Sequence, residues 1–205
     1  MFAAVDCTGH GVPGAFMSLL GHNALQHIGK VYTKPGKILD RLNEMARTVL
    51  HRGADSGLEA KDQVPDGMDL GLVSINLEER KMEYAGANAP AYLVRQGEIT
   101  ELKPDKRAIA SFEPGAFRFT TQVIELEDGD MVYCASDGYP DQFGGPKGRK
   151  FMRKRFRGLL CEIAPLPVDR QAEILRQRVE SWRTEANEDQ VDDILVCGVR
   201  IRLGQ

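Results

Sequence analysis

The sequence predicts an α+β fold in which pairs of helices flank a largely antiparallel sheet system. Two helical patterns follow one another near the N-terminus, and short strands with period-two hydrophobicity fill the middle of the chain. Two further helical patterns precede a last strand. Because the helices occur in pairs and do not alternate singly with strands, a parallel βαβ sheet is not expected.

The N-terminal part is predicted to hold one strand and two helices. Phe2 to Val5 forms a short apolar strand that ends at Asp6 and a glycine-rich stretch. Helices are expected over residues 15–28 and from Pro35 to about residue 50, the second being the clearest helix in the chain. Their expected core residues are Phe16, Leu19, Leu20, Ala24 and Ile28, then Ile38, Leu39, Leu42, Met45, Ala46, Val49 and Leu50.

The rest of the chain is predicted as a meander of strands followed by two helices and a strand. After a polar loop over residues 53–67, strands are expected over 68–75, 81–85, 91–94, 98–102, 117–126 and 131–136. The last of these is nearly continuous in apolar residues and should be buried. A glycine- and proline-rich loop through Gly148 follows. A basic helix over residues 151–160, a longer helix from Pro167 with Ala172, Leu175, Val179 and Trp182 inward, and a strand over 194–203 end the chain.

The composition is typical of a soluble domain, and one domain is expected over residues 1–205. A formal net charge of −3 gives no sign of nucleic-acid binding. No apolar run is long enough to span a bilayer, and the N-terminus does not resemble a signal peptide. Cys7, Cys134, Cys161 and Cys197 form no C-x-x-C pair, which is typical of reduced thiols and predicts a cytoplasmic protein.

The glycines at positions 9, 11 and 14 match the spacing G-x-G-x-x-G of dinucleotide-binding proteins. That motif requires a strand after the helix and an acid about 20 residues further on. Here a second helix follows, so a dinucleotide site is not expected. An acid at a strand end followed by glycines instead suits the presentation of a carboxylate and backbone groups to an ion or a phosphate.

Acidic residues recur at the ends of predicted strands. Asp6 and Asp137 end apolar strands, Asp69 heads a central strand, and Asp192 and Asp193 head the last strand. Each alone is readily explained as a turn residue. Together they favour one shared cation site, because an isolated acid is costly in a sheet core. Ligands that are all oxygen suit Mg²⁺ or Mn²⁺ better than zinc.

The sequence does not contain the motifs of several other catalytic mechanisms. The chain has no P-loop, no G-x-S-x-G elbow, no H-E-x-x-H and no cysteine in a phosphatase loop closed by arginine. The Cys7 thiolate would be disfavoured by the adjacent Asp6. His10 lies in the glycine loop, where it could contact a phosphate, orient a water or make a structural hydrogen bond. Metal-activated water is the mechanism that remains.

Five motifs then occur in a recognisable order. They are Asp6-Cys7-Thr8-Gly9-His10-Gly11-Val12-Pro13-Gly14-Ala15, Gly67-Met68-Asp69-Leu70-Gly71, Gly86-Ala87-Asn88-Ala89-Pro90, Ala135-Ser136-Asp137-Gly138-Tyr139-Pro140-Asp141-Gln142-Phe143-Gly144 and Asp189-Gln190-Val191-Asp192-Asp193-Ile194. Together they resemble the metal-dependent protein phosphatases (the PPM, or type 2C, superfamily) in their bacterial, sporulation-type SpoIIE-like branch. The resemblance implies an α-β-β-α sandwich of two antiparallel sheets with a binuclear Mn²⁺ or Mg²⁺ site at one end.

The resemblance also implies residue roles and a substrate. Asp6 would bridge two metal ions, the backbone carbonyl of Cys7 would be a further ligand, and Asp137 and Asp192 would bind the second metal. Metal-activated water would hydrolyse a phosphoserine or phosphothreonine on a signalling protein. In this branch that protein is typically a phosphorylated STAS-domain anti-sigma-factor antagonist, and an upstream sensor or receiver domain is possible.

Two departures from the family pattern are visible. The family's G-G-D-F-type motif, which carries another metal-site acid, would stand before residue 1, so the N-terminal strands and one ligand are expected to be missing. Leu195 stands where the family usually has threonine. These departures leave an alternative open, in which the chain is a catalytically impaired phosphatase-like module that binds a partner in bacterial signalling.

A basic segment over residues 147–157 has two interpretations. It contains Lys147, Arg149, Lys150, Arg153, Lys154, Arg155 and Arg157. These residues could dock an acidic phosphoprotein or, less readily, nucleic acid. The favoured interpretation is an amphipathic helix with Phe151, Met152, Phe156 and Leu159 inward and a solvated basic face.

Overall fold

The computed structural model describes residues 1–7, 11–54, 67–111 and 117–204. The helices are α1 (Gly11–Ile28), α2 (Pro35–Ala54), α3 (Gly138–Asp141), α4 (Arg153–Ile163) and α5 (Val168–Glu185). The strands are β1 (Phe2–Cys7), β2 (Met68–Asn76), β3 (Lys81–Ala87), β4 (Ala91–Arg95), β5 (Glu98–Leu102), β6 (Gln122–Glu125), β7 (Met131–Ala135), β8 (Phe143–Gly144), β9 (Arg149–Lys150) and β10 (Val196–Arg200).

Two four-stranded antiparallel sheets form the centre of the fold. Their strand orders are β1-β2-β3-β6 and β10-β7-β4-β5, and β8 pairs with β9 in a small separate ribbon. Helices α1 and α2 pack on the outer face of the first sheet, and α4 and α5 pack on the outer face of the second. A third apolar cluster lies between the sheets. The predicted α+β class and α-β-β-α sandwich are therefore confirmed.

The strand sequences explain the three layers of core. Successive side chains of a strand point to opposite faces, so an apolar residue at every position fills two layers at once. In β2, Leu72 packs beneath α1 and α2, whereas the adjacent Val73 packs between the sheets. In β7, Tyr133 packs beneath α4 and α5, and its neighbours Val132 and Cys134 pack between the sheets. The predicted burial of β7 follows from this arrangement.

The buried face of α1 differs from the prediction. Met17, Ala24 and Ile28 are buried, whereas Phe16 and Leu19 are 49% and 59% exposed. Apolar residues occur all around this helix, so its sequence does not single out one face. In α2 the prediction holds for Ile38, Leu39, Leu42 and Ala46 but not for Met45 and Val49, which are exposed. In α5, Leu175 is buried and Ala172 is exposed.

Several predicted boundaries need correction. Of the strand expected over residues 117–126, only β6 is observed. The described residues before β6 form hydrogen bonds with α2 instead of pairing with a strand. Asp40 Oδ1 accepts a hydrogen bond from the backbone N–H of Phe119 (2.9 Å), and Thr121 Oγ1 accepts one from Gly36 (3.0 Å). The loop expected after Asp137 contains α3 and the β8–β9 ribbon. Most of the polar loop predicted at residues 53–67 lies outside the described residues.

Residues 153–157 of the basic segment form the start of α4, and residues 149–150 form β9, so the helix predicted over residues 151–160 lies at Arg153–Ile163. Its amphipathic pattern agrees with the prediction with one exception. Phe151, Phe156 and Leu159 are buried, but Met152 is 54% exposed. Met152 has a positive φ of 77° and precedes the first residue of the helix, so its side chain leaves the inward face.

The four cysteines are free. Within the described parts of the chain, no helix combines the length and apolar character needed to cross a bilayer.

Candidate metal centre

Three acids from three different strand ends meet at one end of the sandwich. Asp6 ends β1, Asp137 follows β7, and Asp192 precedes β10. One carboxylate oxygen of each lies within 4.8 Å of the corresponding oxygens of the other two. Asp6 is partly buried, and Asp137 and Asp192 are exposed. The structure thus brings together the three acids that were predicted as metal ligands.

Hydrogen bonds from Ser136 hold the Asp192–Asp193 segment against the end of β7. The Ser136 Oγ hydroxyl donates to the carbonyl of Asp193 (2.9 Å) and accepts from the N–H of Leu195 (3.0 Å). A side chain on Gly138 would overlap that same Asp193 carbonyl. A glycine is therefore required where the two acid-bearing segments approach each other. Leu195 contributes its backbone here, so the departure from the family's threonine leaves this clamp in place.

A fourth acid, Asp69, lies beside Asp6. The two residues are direct partners in the β1–β2 register. Asp69 Oδ1 accepts a hydrogen bond from Asn88 Nδ2 (2.9 Å), and Asn88 has a positive φ of 55° in the β3–β4 connection. Asp69 is predictable from the sequence as a strand-end acid but was not among the predicted metal ligands, and Asn88 stands out in the sequence only as part of a motif. Both are polar groups of the site.

Like charges dominate the electrostatics around Asp6. Burial, together with the carboxylates of Asp192, Asp137 and Asp69, raises the pKa of Asp6 to about 6. Burial also raises the pKa of Asp69, and Asp137 adds to this while the Asn88 hydrogen bond opposes it. Several carboxylate oxygens close together, with their negative charge unbalanced, are the donors that Mg²⁺ and Mn²⁺ prefer. The residues present therefore fit a divalent cation.

Two cavities meet at Asp6 and Ser136. A narrow cavity of about 80 Å³ is lined by residues of both sheets and of α4, including Asp69, Asp137 and Arg153. A wider, open cleft of about 610 Å³ is lined by the ends of β1 and α1 and by residues 190–195. The acid cluster therefore borders both an open surface and a confined space.

Cys7 lines the open cleft next to Asp6. Burial raises the pKa of the Cys7 thiol, with a smaller contribution from Asp6, so the thiol is poorly suited to act as a nucleophile. The role predicted for Cys7 does not involve the thiol: its backbone carbonyl is the predicted metal ligand. His10, with the rest of the glycine loop at residues 8–10, lies outside the described residues.

Arg153 and Tyr92 line the narrow cavity and were not singled out by the sequence analysis. Arg153 was noticed only as one member of the basic segment, because nothing in the sequence distinguishes it from the adjacent Lys154. Tyr92 carries no sequence signal of its own, since its alternation with buried neighbours is that of an ordinary strand residue.

Comparisons with known proteins agree with this geometry. A family model described as stage II sporulation protein E (SpoIIE) matches residues 1–202. The SiaA-PP2C domain of Pseudomonas aeruginosa is 32% identical, with a TM-score of 0.83 over 97% of this chain and 74% of that one. Comparison with curated protein sequences gives no match.

Two further solved structures share the fold at lower identity. The PP2C phosphatase domain of SpoIIE from Bacillus subtilis is 18% identical, with a TM-score of 0.68 over 97% of this chain and 53% of that one. The catalytic domain of the serine/threonine phosphatase PstP, in complex with two manganese ions, is 18% identical, with a TM-score of 0.64 over 95% of this chain and 84% of that one. With the family model spanning almost all of its residues, the chain belongs to the SpoIIE family of PP2C-type phosphatase domains.

Proposed function

We propose that this chain is a metal-dependent protein serine/threonine phosphatase domain. The observation that carries the proposal is the convergence of Asp6, Asp137 and Asp192, whose ligand atoms lie within 4.8 Å of one another. These acids, with the backbone carbonyl of Cys7, would supply ligands for Mn²⁺ or Mg²⁺, in a site that is binuclear in the complete domain. The likeness in fold to a phosphatase domain solved with two manganese ions supports the choice of metal.

Bound divalent ions would supply an activated water and neutralise charge that develops on the phosphoryl group. The chain's own groups would position this chemistry. Asp6 stands between the narrow cavity and the open cleft, so its carboxylate borders both. The Ser136 clamp fixes Asp192 against Asp137. Asn88 holds Oδ1 of Asp69 in the wall of the narrow cavity.

We infer further that the substrate is a phosphoserine or phosphothreonine of a phosphorylated STAS-domain anti-sigma-factor antagonist. The match to the SpoIIE model over residues 1–202 supports this substrate class. An open cleft beside the acids suits a phosphorylated side chain carried by a protein surface. We place the activity in cytoplasmic signalling, under the control of an upstream sensor or receiver domain. Four free cysteines are compatible with a reducing compartment.

The direct test is hydrolysis of p-nitrophenyl phosphate and of a phosphorylated STAS-domain protein, with Mn²⁺ and with EDTA. We expect Mn²⁺-stimulated activity that EDTA abolishes and that Asp6→Asn and Asp137→Asn reduce about a hundredfold to a thousandfold, as expected when metal-held charge stabilisation is removed. The control is Asp169→Asn, an exposed acid in the first turn of α5.

A folded wild-type protein without Mn²⁺-dependent hydrolysis would contradict the proposal. The partner-binding alternative would then predict binding to the STAS-domain protein that is indifferent to metal and to Asp192→Asn. Calorimetric titration of that protein into the chain distinguishes the two cases.

A further inference from the structure

The narrow cavity contains one cationic side chain opposite several acids. Asp6, Asp69 and Asp137 line it, and Arg153, from the first turn of α4, is the one basic residue among its described lining residues. The aromatic rings of Tyr92 and Phe156 lie in the same wall, 6.0 Å apart in an edge-to-face arrangement. A confined space with carboxylates and one guanidinium is suited to an anion only if cations cover the carboxylates.

Among the described residues the Arg153 guanidinium has no hydrogen-bond or ion-pair partner, whereas Lys150, Arg155 and Arg157 each have one. Lys150 pairs with Asp141 (2.9 Å), and Arg157 pairs with Glu101 (2.7 Å). Arg155 stacks over the Trp182 ring at 4.9 Å. Arg153 and Tyr92 both line the narrow cavity. Burial raises the pKa of Tyr92, and the charge of Arg153 is among the contributions that oppose this shift. Within the described parts of the chain, the Arg153 guanidinium is thus an unpaired donor group beside the site.

The backbone immediately before Arg153 is held in a rarely populated conformation. Met152 has φ 77° and ψ 141°, a region that residues with a side chain seldom adopt. Hydrogen bonds hold it there, from Met152 N–H to the carbonyl of Pro140 (2.7 Å) and from Phe151 N–H to that of Gln142 (2.9 Å). The accepting segment directly follows Asp137. The start of α4, and Arg153 with it, is therefore fixed relative to one of the site acids.

We propose that Arg153 binds the phosphoryl oxygens of the substrate, opposite the metal-binding acids. This inference rests on the proposed phosphatase function and identifies its phosphate-binding residue. A phosphate dianion next to three carboxylates needs positive charge on both sides, and Arg153 is the cation that the chain supplies from the side of α4. A guanidinium offers paired N–H donors that match two phosphate oxygens. Arg153 makes no ion pair with the described carboxylates, which leaves the phosphate a place between them.

The test compares Arg153→Met and Arg153→Lys with Lys154→Met, a matched loss of charge at the adjacent exposed position. Inorganic phosphate is the probe, measured as a competitive inhibitor and by calorimetry in Mg²⁺. We expect Arg153→Met to weaken phosphate binding and raise KM for the phosphoprotein about tenfold or more, the range for charged hydrogen bonds. Arg153→Lys should give intermediate phosphate affinity and KM, because lysine keeps the positive charge but lacks the paired N–H donors of the guanidinium. Lys154→Met should stay within about twofold of wild type, as usual for an exposed unpaired charge.

Two results separate failure of this inference from failure of the proposed function. Unchanged phosphate affinity and KM in an active Arg153→Met variant would overturn the role of Arg153 and leave the phosphatase intact. A wild-type protein without hydrolysis would contradict the function, and phosphate titration of wild type against Arg153→Met would still decide whether Arg153 binds the anion. Equal losses in Arg153→Met and Lys154→Met would also refute the role, because they would indicate a general charge effect. If Arg153→Met does not fold, Arg153→Lys decides.

Discussion

Replacing Asp6 by asparagine should stabilise the metal-free protein and abolish its response to metal. Asp6 has its pKa raised from 3.8 to about 6 by burial and three neighbouring carboxylates. The folded state therefore keeps a proton between these pH values that the unfolded state has lost. Stability falls as pH rises through this window, and above it the ionised Asp6 imposes its full cost on the folded protein.

The size of the effect follows from the shift. The change in pKa corresponds to about 3 kcal/mol, and solvent screening of a group that is only half buried reduces this to about 1–2 kcal/mol. At pH 7 in EDTA, the free energy of unfolding of Asp6→Asn should exceed that of wild type by this amount. The variant should also show no fall in stability between the two pKa values. The isosteric amide keeps the packing while it removes the charge.

Bound metal should make wild type more stable than Asp6→Asn, the reverse of the order in EDTA. A cation that binds only the folded state adds about 2.7 kcal/mol at a hundredfold excess over its Kd. Wild type should receive this gain with Mn²⁺, and Asp6→Asn should receive little of it. Urea unfolding at pH 7, with EDTA and with millimolar Mn²⁺, measures both terms. An Asp6→Asn variant less stable than wild type in EDTA would refute the electrostatic argument, and an undiminished Mn²⁺ gain would refute the role of Asp6 as a ligand.

Three further predictions concern the surroundings of the site and the fold. Gly138→Ala should push the Asp193 carbonyl away and weaken Mn²⁺ binding about tenfold or more, because a Cβ has no room there; Mn²⁺-dependent melts test this, and a wild-type Mn²⁺ response would contradict it. Asp130→Ala should cost about 3 kcal/mol in urea unfolding, because Asp130 is 1% exposed and takes two hydrogen bonds from Arg95 (2.8 and 2.7 Å); a loss below 1 kcal/mol would make this pair no stronger than a surface one. Met152→Gly should raise the free energy of unfolding by about 1 kcal/mol, because glycine tolerates the positive φ and the lost side chain is exposed; destabilisation in the same assay would show that the backbone there is unstrained.

Much of the architecture could be predicted because the deciding signals are local. The period-two pattern of β2 and the continuous apolar run of β7 are properties of a few adjacent residues, and both predicted strands are observed. The acids at strand ends could also be found, since a carboxylate directly after an apolar strand is conspicuous in the sequence. The buried face of α1 was predicted wrongly, because apolar residues occur all around this helix. Phe16 fits an apolar helical stripe as well as Met17 does, and only packing on β2 and β3 buries Met17.

Other features depend on partners that are distant in sequence. The apolar residues before β6 resemble a strand, but Asp40 binds the N–H of Phe119 across 79 positions and the segment pairs with no strand. In the sequence Arg153 resembles the other basic residues around it, and only the backbone hydrogen bond from Met152 to Pro140 orients the start of α4. Such contacts are formed by the folded chain as a whole, so no window of neighbouring residues contains them.

The residue pattern by itself determined the α+β class, the order of the main helices and strands and the identity of the strand-end acids, because hydrophobic periodicity and residue chemistry are local properties of the chain. The two-sheet layering was instead implied by the family resemblance. Only the tertiary structure decided that oxygens of Asp6, Asp137 and Asp192 lie within 4.8 Å of one another, and that Asp69 and Arg153 face the same cavity. Distances between side chains depend on how two sheets and a helix end pack together. That packing is fixed by close contacts such as Gly138 against Asp193, which involve residues more than fifty positions apart.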